Sequence, residues 1–158
     1  MRRISITLAL LVMASITTGV ALAQSPHYKK GPSCVDNGLT ATCTGTVAGL
    51  GNATVTIDLE FPNATGTTIC SNPGGQQVPG QNPATPAPVS GSASVSNIKN
   101  GTLSFTVTTN PPTNPTPQAA GCPNGNWSAT FSNITFGSGT LTLFQGGVEV
   151  LTTNVSLP

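Results

Sequence analysis

Charge is what this sequence has least of. Lysine, arginine, aspartate and glutamate make up 6% of the residues, and the only arginines are Arg2 and Arg3. Beyond them stand Lys29, Lys30 and Lys99 against Asp36, Asp58, Glu60 and Glu149. Three lysines cannot build the phosphate-neutralising surface that nucleic acid demands, so no nucleic-acid partner is expected. An electrostatic hold on a membrane surface fails on the same count. There is one histidine, His27, and no Cys-x-x-Cys spacing, which argues against a zinc site and against any metal. Aromatics are 4% of the chain, too few for a broad sugar-stacking platform. Apolar spacing at helical period is missing over any three turns, and β-branched residues dominate instead.

What is present begins with the leader. A basic start at Arg2 and Arg3, an apolar stretch from Ile4 to Val20, and the small-x-small exit Ala21-Leu22-Ala23 together read as a secretory signal peptide, residues 1–23. Its apolar core is short and diluted by Thr7, Ser15, Thr17 and Thr18, which disfavours a membrane anchor. The expectation is a secreted, extracellular product with no membrane insertion after cleavage. Residues 24–33 read as an N-terminal tail, and residues 34–158 as one domain of ordinary size.

Within that domain, strand signals of period two follow one another. Leu39, Ala41, Cys43 and Val47 alternate with threonines; Ala53, Val55, Ile57, Leu59 and Phe61 alternate with Thr54, Thr56, Asp58 and Glu60. Shorter runs follow at 67–70, 93–98, 103–107, 127–131, 134–136, 141–143 and 148–155. Asn100-Gly101, Gly137-Ser138-Gly139 and Gly146-Gly147 supply hairpin turns, because glycine and asparagine accept positive φ. Seven to nine short strands at this spacing predict an all-β fold: an immunoglobulin-like antiparallel β-sandwich, with a barrel as the lesser choice. Two proline-rich segments, 71–90 and 110–126, interrupt the pattern and read as loops, since proline cannot donate to a central ladder.

Cys34, Cys43, Cys70 and Cys122 are an even set in an exported chain, so two disulfides are expected. Spacing alone leaves three pairings open. The turn signal Val35-Asp36-Asn37-Gly38 favours Cys34 with Cys43, and the edges of the two proline-rich loops favour Cys70 with Cys122.

Catalysis finds little to work with. His27, the one imidazole base, falls in the tail. Asp58 and Glu60 share a strand face roughly 7 Å apart, near a glycosidase separation, but opposite the apolar positions, where solvent is expected. On that face they read as charges that discourage edge pairing. They lack the further oxygen ligands of a calcium site. No catalytic residue and no cofactor is assigned. Phe61, Phe105, Phe131 and Trp127 fall on apolar positions, while Tyr28 and Phe144 are off pattern; Tyr28, Phe144 and Trp127 are the candidates for ligand contact. Six Asn-x-Ser/Thr sequons, at Asn52, Asn63, Asn100, Asn126, Asn133 and Asn154, read as a by-product of a Ser/Thr-rich composition.

Thr42-Cys43-Thr44-Gly45, Val47-Ala48-Gly49-Leu50-Gly51, Cys70-Ser71-Asn72-Pro73-Gly74-Gly75, Pro79-Gly80-Gln81-Asn82-Pro83 and Gly121-Cys122-Pro123-Asn124 with Trp127 give the chain a resemblance to uncharacterised small exported bacterial β-sandwich proteins. That resemblance implies no mechanism. The element from Cys34 to Cys43 is similar to the short disulfide loop of neocarzinostatin-type apoproteins, which would imply carriage of a small ligand. The expectation is a non-enzymatic domain, structural or partner-binding, facing an extracellular protein or polysaccharide. The alternative is a small-ligand or carbohydrate-binding β-sandwich.

Overall fold

A computed structural model describes residues 25–158 except Ala87; the signal-peptide reading of 1–23 lies outside the described residues. All regular structure there is β, in ten strands. They are β1 (His27–Asp36), β2 (Ala41–Ala48), β3 (Val55–Phe61), β4 (Thr65–Ser71), β5 (Gln77–Pro79), β6 (Val89–Val95), β7 (Leu103–Thr108), β8 (Ser128–Thr135), β9 (Gly137–Gln145) and β10 (Val148–Leu157). Every pairing is antiparallel, in three sheets ordered β1-β2-β7, β10-β9-β3-β6 and β5-β4-β8.

The first two sheets form a sandwich-like body around one core, because alternation sends one side of each strand inward. Ala41, Cys43 and Val47 from β2, with Leu103, Phe105 and Val107 from β7, meet Val55, Ile57, Leu59 and Phe61 from β3 and Leu141 and Leu143 from β9. Phe61 and Phe136 pack edge to face with ring centroids 5.0 Å apart. Burial of each large side chain contributes about 1.5–3 kcal/mol. The two sheets approach each other along two seams, β6 against β7 and β1 against β10. At the first seam the Asn110 N–H donates to the Ser90 carbonyl over 2.8 Å. Gly91 lies flush on the Thr108–Thr109 backbone there, where a β-carbon would collide.

The third sheet is an arm made by two excursions from the body. The chain leaves after β3 to build β4 and β5, and returns along 80–88 to β6. It leaves again after β7 along 110–127 and returns as β8. Phe131 and Ile134 anchor the arm in the main core, and Cys70, Ala120 and Ala129 form a second small core with Val78, Cys122 and Trp127 beside it.

Several expectations need correction. The supposed tail is a strand from His27 onward, paired with β2 from His27↔Ala48 to Asp36↔Ala41. The segment 71–90 is no loop throughout: it contains β5, an isolated Gly66↔Ala84 bridge, and the first residues of β6. The runs at 127–131 and 134–136 belong largely to one strand, β8. Lys99-Asn100-Gly101-Thr102 does form a tight turn, with φ of 50° at Asn100 and 68° at Gly101, but the strands it joins lie in different sheets. Gly137, at φ 67°, likewise steers the chain from the arm into the body instead of closing a hairpin. Gly146-Gly147, both at positive φ, closes the expected β9–β10 hairpin with Gln145 opposite Val148.

Candidate functional site

Two disulfides fix the surfaces of the molecule. Cys34 and Cys43 sit opposite each other in the β1–β2 ladder, with α-carbons 4.1 Å apart, and are bonded. Asp36 shapes their turn: its Oδ1 accepts from the Gly38 N–H at 2.7 Å, and Gly38 takes φ 86°. Cys70 is bonded to Cys122, joining β4 to the second excursion across 52 residues. Two disulfides fit an oxidising compartment.

The outer face of β2 and β7 is a grid of hydroxyls. Register places Thr42 opposite Thr108, Thr44 opposite Thr106, and Thr46 opposite Ser104. Thr42 and Thr108 share a hydrogen bond of 2.9 Å, and Thr46 and Ser104 one of 3.1 Å. Those bonds hold the side chains in defined rotamers. Ser33 and Lys30 of β1 continue two of the rows, and the exposed Val35 continues the third. The grid itself carries no charge, so it offers hydroxyl donors and acceptors at any pH.

The outer face of the second sheet is similar but bears the acids. One row runs Ser92, Asp58, Thr142, Thr152, and the next Ser90, Glu60, Thr140, Asn154. Asp58 and Glu60 therefore do face away from the core, as expected. Their expected part in shielding a sheet edge is wrong, because β3 is an interior strand flanked by β6 and β9. A shallow recess of about 400 Å³ beside them is lined by Ser90, Ser92 and Asn110 as well. No group of three or more histidine, cysteine, aspartate or glutamate residues that could hold a metal occurs among the described residues.

The three aromatic candidates are scattered. Tyr28 is half-buried: it packs against the main core, and its hydroxyl is buried without a hydrogen-bond partner. Burial disfavours the phenolate and pushes its pKa from 10.0 up to about 12. Phe144, half-buried, lies on the outer face of β9 between Thr56 and Glu149. Trp127, also half-buried, packs against the small core of the arm. These three belong to different sheets or their flanks and share no recess. His27 is exposed, its ring within 2.9 Å of the Ser25 carbonyl.

Sequence reasoning missed the arm and its concavity. Thr67, Thr68, Ile69, Gln77, Val78, Pro79 and Asn82 line a depression of about 320 Å³ on it, predominantly apolar. The signal was available in Asn82, which ties 80–83 to β4. Its Oδ1 accepts from the Thr68 N–H (2.6 Å) and hydroxyl (3.0 Å), and its Nδ2 donates to the Thr68 carbonyl (3.2 Å). No helix among the described residues is long and apolar enough to cross a membrane. No protein-family model and no curated protein matches this chain.

Proposed function

We propose that the mature chain is a secreted, non-catalytic domain of immunoglobulin-like architecture that acts by surface contact, with an extracellular protein or polysaccharide as partner. The observation that carries this reading is the hydroxyl grid on β2 and β7. Six neutral side chains, four of them locked in mutual hydrogen bonds, present a pre-ordered face whose side-chain entropy is already partly spent. A neutral hydroxyl face suits a neutral polyol or a polar peptide surface, which exchange water-mediated hydrogen bonds with it.

Retention of the purified protein on cell envelopes and on insoluble neutral polysaccharides tests the proposal. Saturable retention that falls at least tenfold in a Thr44→Arg/Thr106→Arg variant supports it. Retention unchanged in that variant removes the grid as the contact face, and no retention on either material overturns the reading.

A second reading, binding of a small ligand or carbohydrate, is favoured by the concavity on the arm. Ile69, Val78 and Pro79 supply apolar contact there, and Thr67, Gln77 and Asn82 supply polar groups. Ligand-observed magnetic resonance with a mixture of small apolar compounds and oligosaccharides, repeated with Ile69→Arg, distinguishes this reading from the first.

A further inference from the structure

A sheet edge exposes unpaired N–H and C=O groups, and natural β proteins manage each edge by some device. β1 carries Lys29, Lys30 and Pro32 and two breaks of register, between Tyr28 and Lys30 and between Lys30 and Ser33. β5 has three residues and ends in Pro79. On β8, the outward Phe131 N–H is taken by the Asn114 side chain at 2.9 Å, and the Ile134 N–H by the Gly38 carbonyl at 2.8 Å. β6 and β7 close on one another, with Asn110 bonded to Ser90.

β10 is different. It pairs with β9 alone among the described residues, and β1 approaches it from the facing sheet without forming a ladder. Its one break of register lies at Glu149–Leu151, and from Leu151 to Leu157 the ladder is regular. That stretch, Leu151-Thr152-Thr153-Asn154-Val155-Ser156-Leu157, holds no charge, no proline and no glycine. Val148, at its head, is 64% exposed.

We propose that β10 is a self-association edge, pairing antiparallel with β10 of a second copy about a two-fold axis at Thr153. The strand's own sequence is the reason for a second copy as occupant. In this register Thr152 stands opposite Asn154 of the other copy, and Leu151 opposite its Val155. Polar residues of the outer face meet on one side, and the half-buried Leu151 meets the buried Val155 on the other. Opposed residues in an antiparallel pair share a face, so both alternations match from Leu151 to Val155. The only charge on the strand, Glu149, lies beyond the register break and so outside the matched stretch, and the two Glu149 residues stand more than about 20 Å apart at 3.4 Å per residue. No like charges meet. The result is a continuous eight-stranded sheet, β6-β3-β9-β10 twice over, within the size that open sheets tolerate. An isologous contact of this kind closes at two copies and does not propagate. It leaves the hydroxyl grid on β2 and β7 free, so it stands independently of the contact face proposed above.

Sedimentation equilibrium on the purified protein, from micromolar to millimolar concentration, tests the pairing. A monomer–dimer equilibrium is expected. Thr152→Lys/Asn154→Lys places lysines opposite each other across the seam, and the dimer dissociation constant rises at least tenfold. Thr152→Lys/Asn154→Glu carries the same number of substitutions but places lysine opposite glutamate, and dimerisation is kept, becoming salt-sensitive. Circular dichroism melts confirm that both variants fold. A protein monomeric at 1 mM overturns the proposal. So does a dimer weakened equally by both variants, since that places the seam elsewhere. A monomer whose β10 amides resist hydrogen exchange also overturns it, because another segment of the chain then covers the edge.

Discussion

Asn82 completes the hydrogen bonding of Thr68, a residue with no exposed surface, by meeting its N–H, its hydroxyl and its carbonyl with one amide group. Burying Thr68 is tolerated because of that amide. Asn82→Ala leaves two donors without a partner and is expected to cost about 2 kcal/mol. Thr68→Val removes one donor together with its need and costs less. Urea denaturation followed by Trp127 fluorescence, which reports on the arm, measures both.

Gly66 and Gly91 are small for different reasons. A β-carbon at Gly66 would press on the Phe131 ring at 2.5 Å and on Ile134 at 2.9 Å, both side chains. At Gly91 it would enter the Thr108–Thr109 backbone, which cannot rotate aside. Gly66→Ala is expected to cost about 1–3 kcal/mol, and Gly91→Ala to cost more, by the usual scale of overpacking. Gly74→Ala, whose nearest contact would be Asn72 at 3.4 Å, serves as a near-neutral control. The expected order of denaturation midpoints is Gly74→Ala, then Gly66→Ala, then Gly91→Ala.

The two disulfides close loops of very different length, 9 and 52 residues in sequence separation. On the chain-entropy account the longer closure stabilises by about 4 kcal/mol and the shorter by about 2.6 kcal/mol. Cys70→Ser/Cys122→Ser should therefore lower stability more than Cys34→Ser/Cys43→Ser. Limited proteolysis adds a local readout: without the Cys70–Cys122 bond, cleavage should begin in 110–126 while the body remains intact.

Tyr28 is the only tyrosine in the chain, so its titration is visible by absorbance without interference. Its folded pKa, about 12, lies above the ordinary 10.0 because burial opposes the phenolate. The folded state thus holds the proton more tightly than the unfolded state. The resulting stability is complete below pH 10 and is lost as the pH climbs toward 12. Tyr28→Phe should abolish that part of the alkaline loss. At neutral pH it should be neutral or slightly stabilising, because it removes a buried hydroxyl that bonds to nothing.

The strands with two neighbours were the legible ones. β3 lies between β6 and β9, is buried on alternate residues throughout, and shows strict alternation in the sequence. β1 was illegible for the converse reason: one flank and one face are open, so Lys29, Lys30, Gly31 and Pro32 are tolerated and no apolar rhythm is imposed. The arm was hidden behind its prolines. β5 lies at an edge, where Pro79 breaks no shared ladder, and 80–84 is held by isolated contacts such as the two-bond bridge between Gly66 and Ala84. Turn chemistry gave the bend at Asn100-Gly101 correctly but not its destination, because positive φ specifies a local reversal and says nothing of which sheet receives the next strand. The cysteine pairs were readable from the turn and the loops they border. The hydroxyl grid was not, since the sequence shows which residues alternate but not that β2 and β7, whose partners are 56 to 66 residues apart, lie side by side.

Cys34 and Cys43 are near neighbours along the polymer, whereas Cys70 must wait for Cys122 to be made. During synthesis from the amino end, the first pair can be oxidised while the third thiol has yet to meet its mate. Early closure takes two of four reactive sulfurs out of circulation and leaves a single remaining choice. The bond of the arm thereby waits until Cys122 has been made, and a mispaired species requires that the first bond be late.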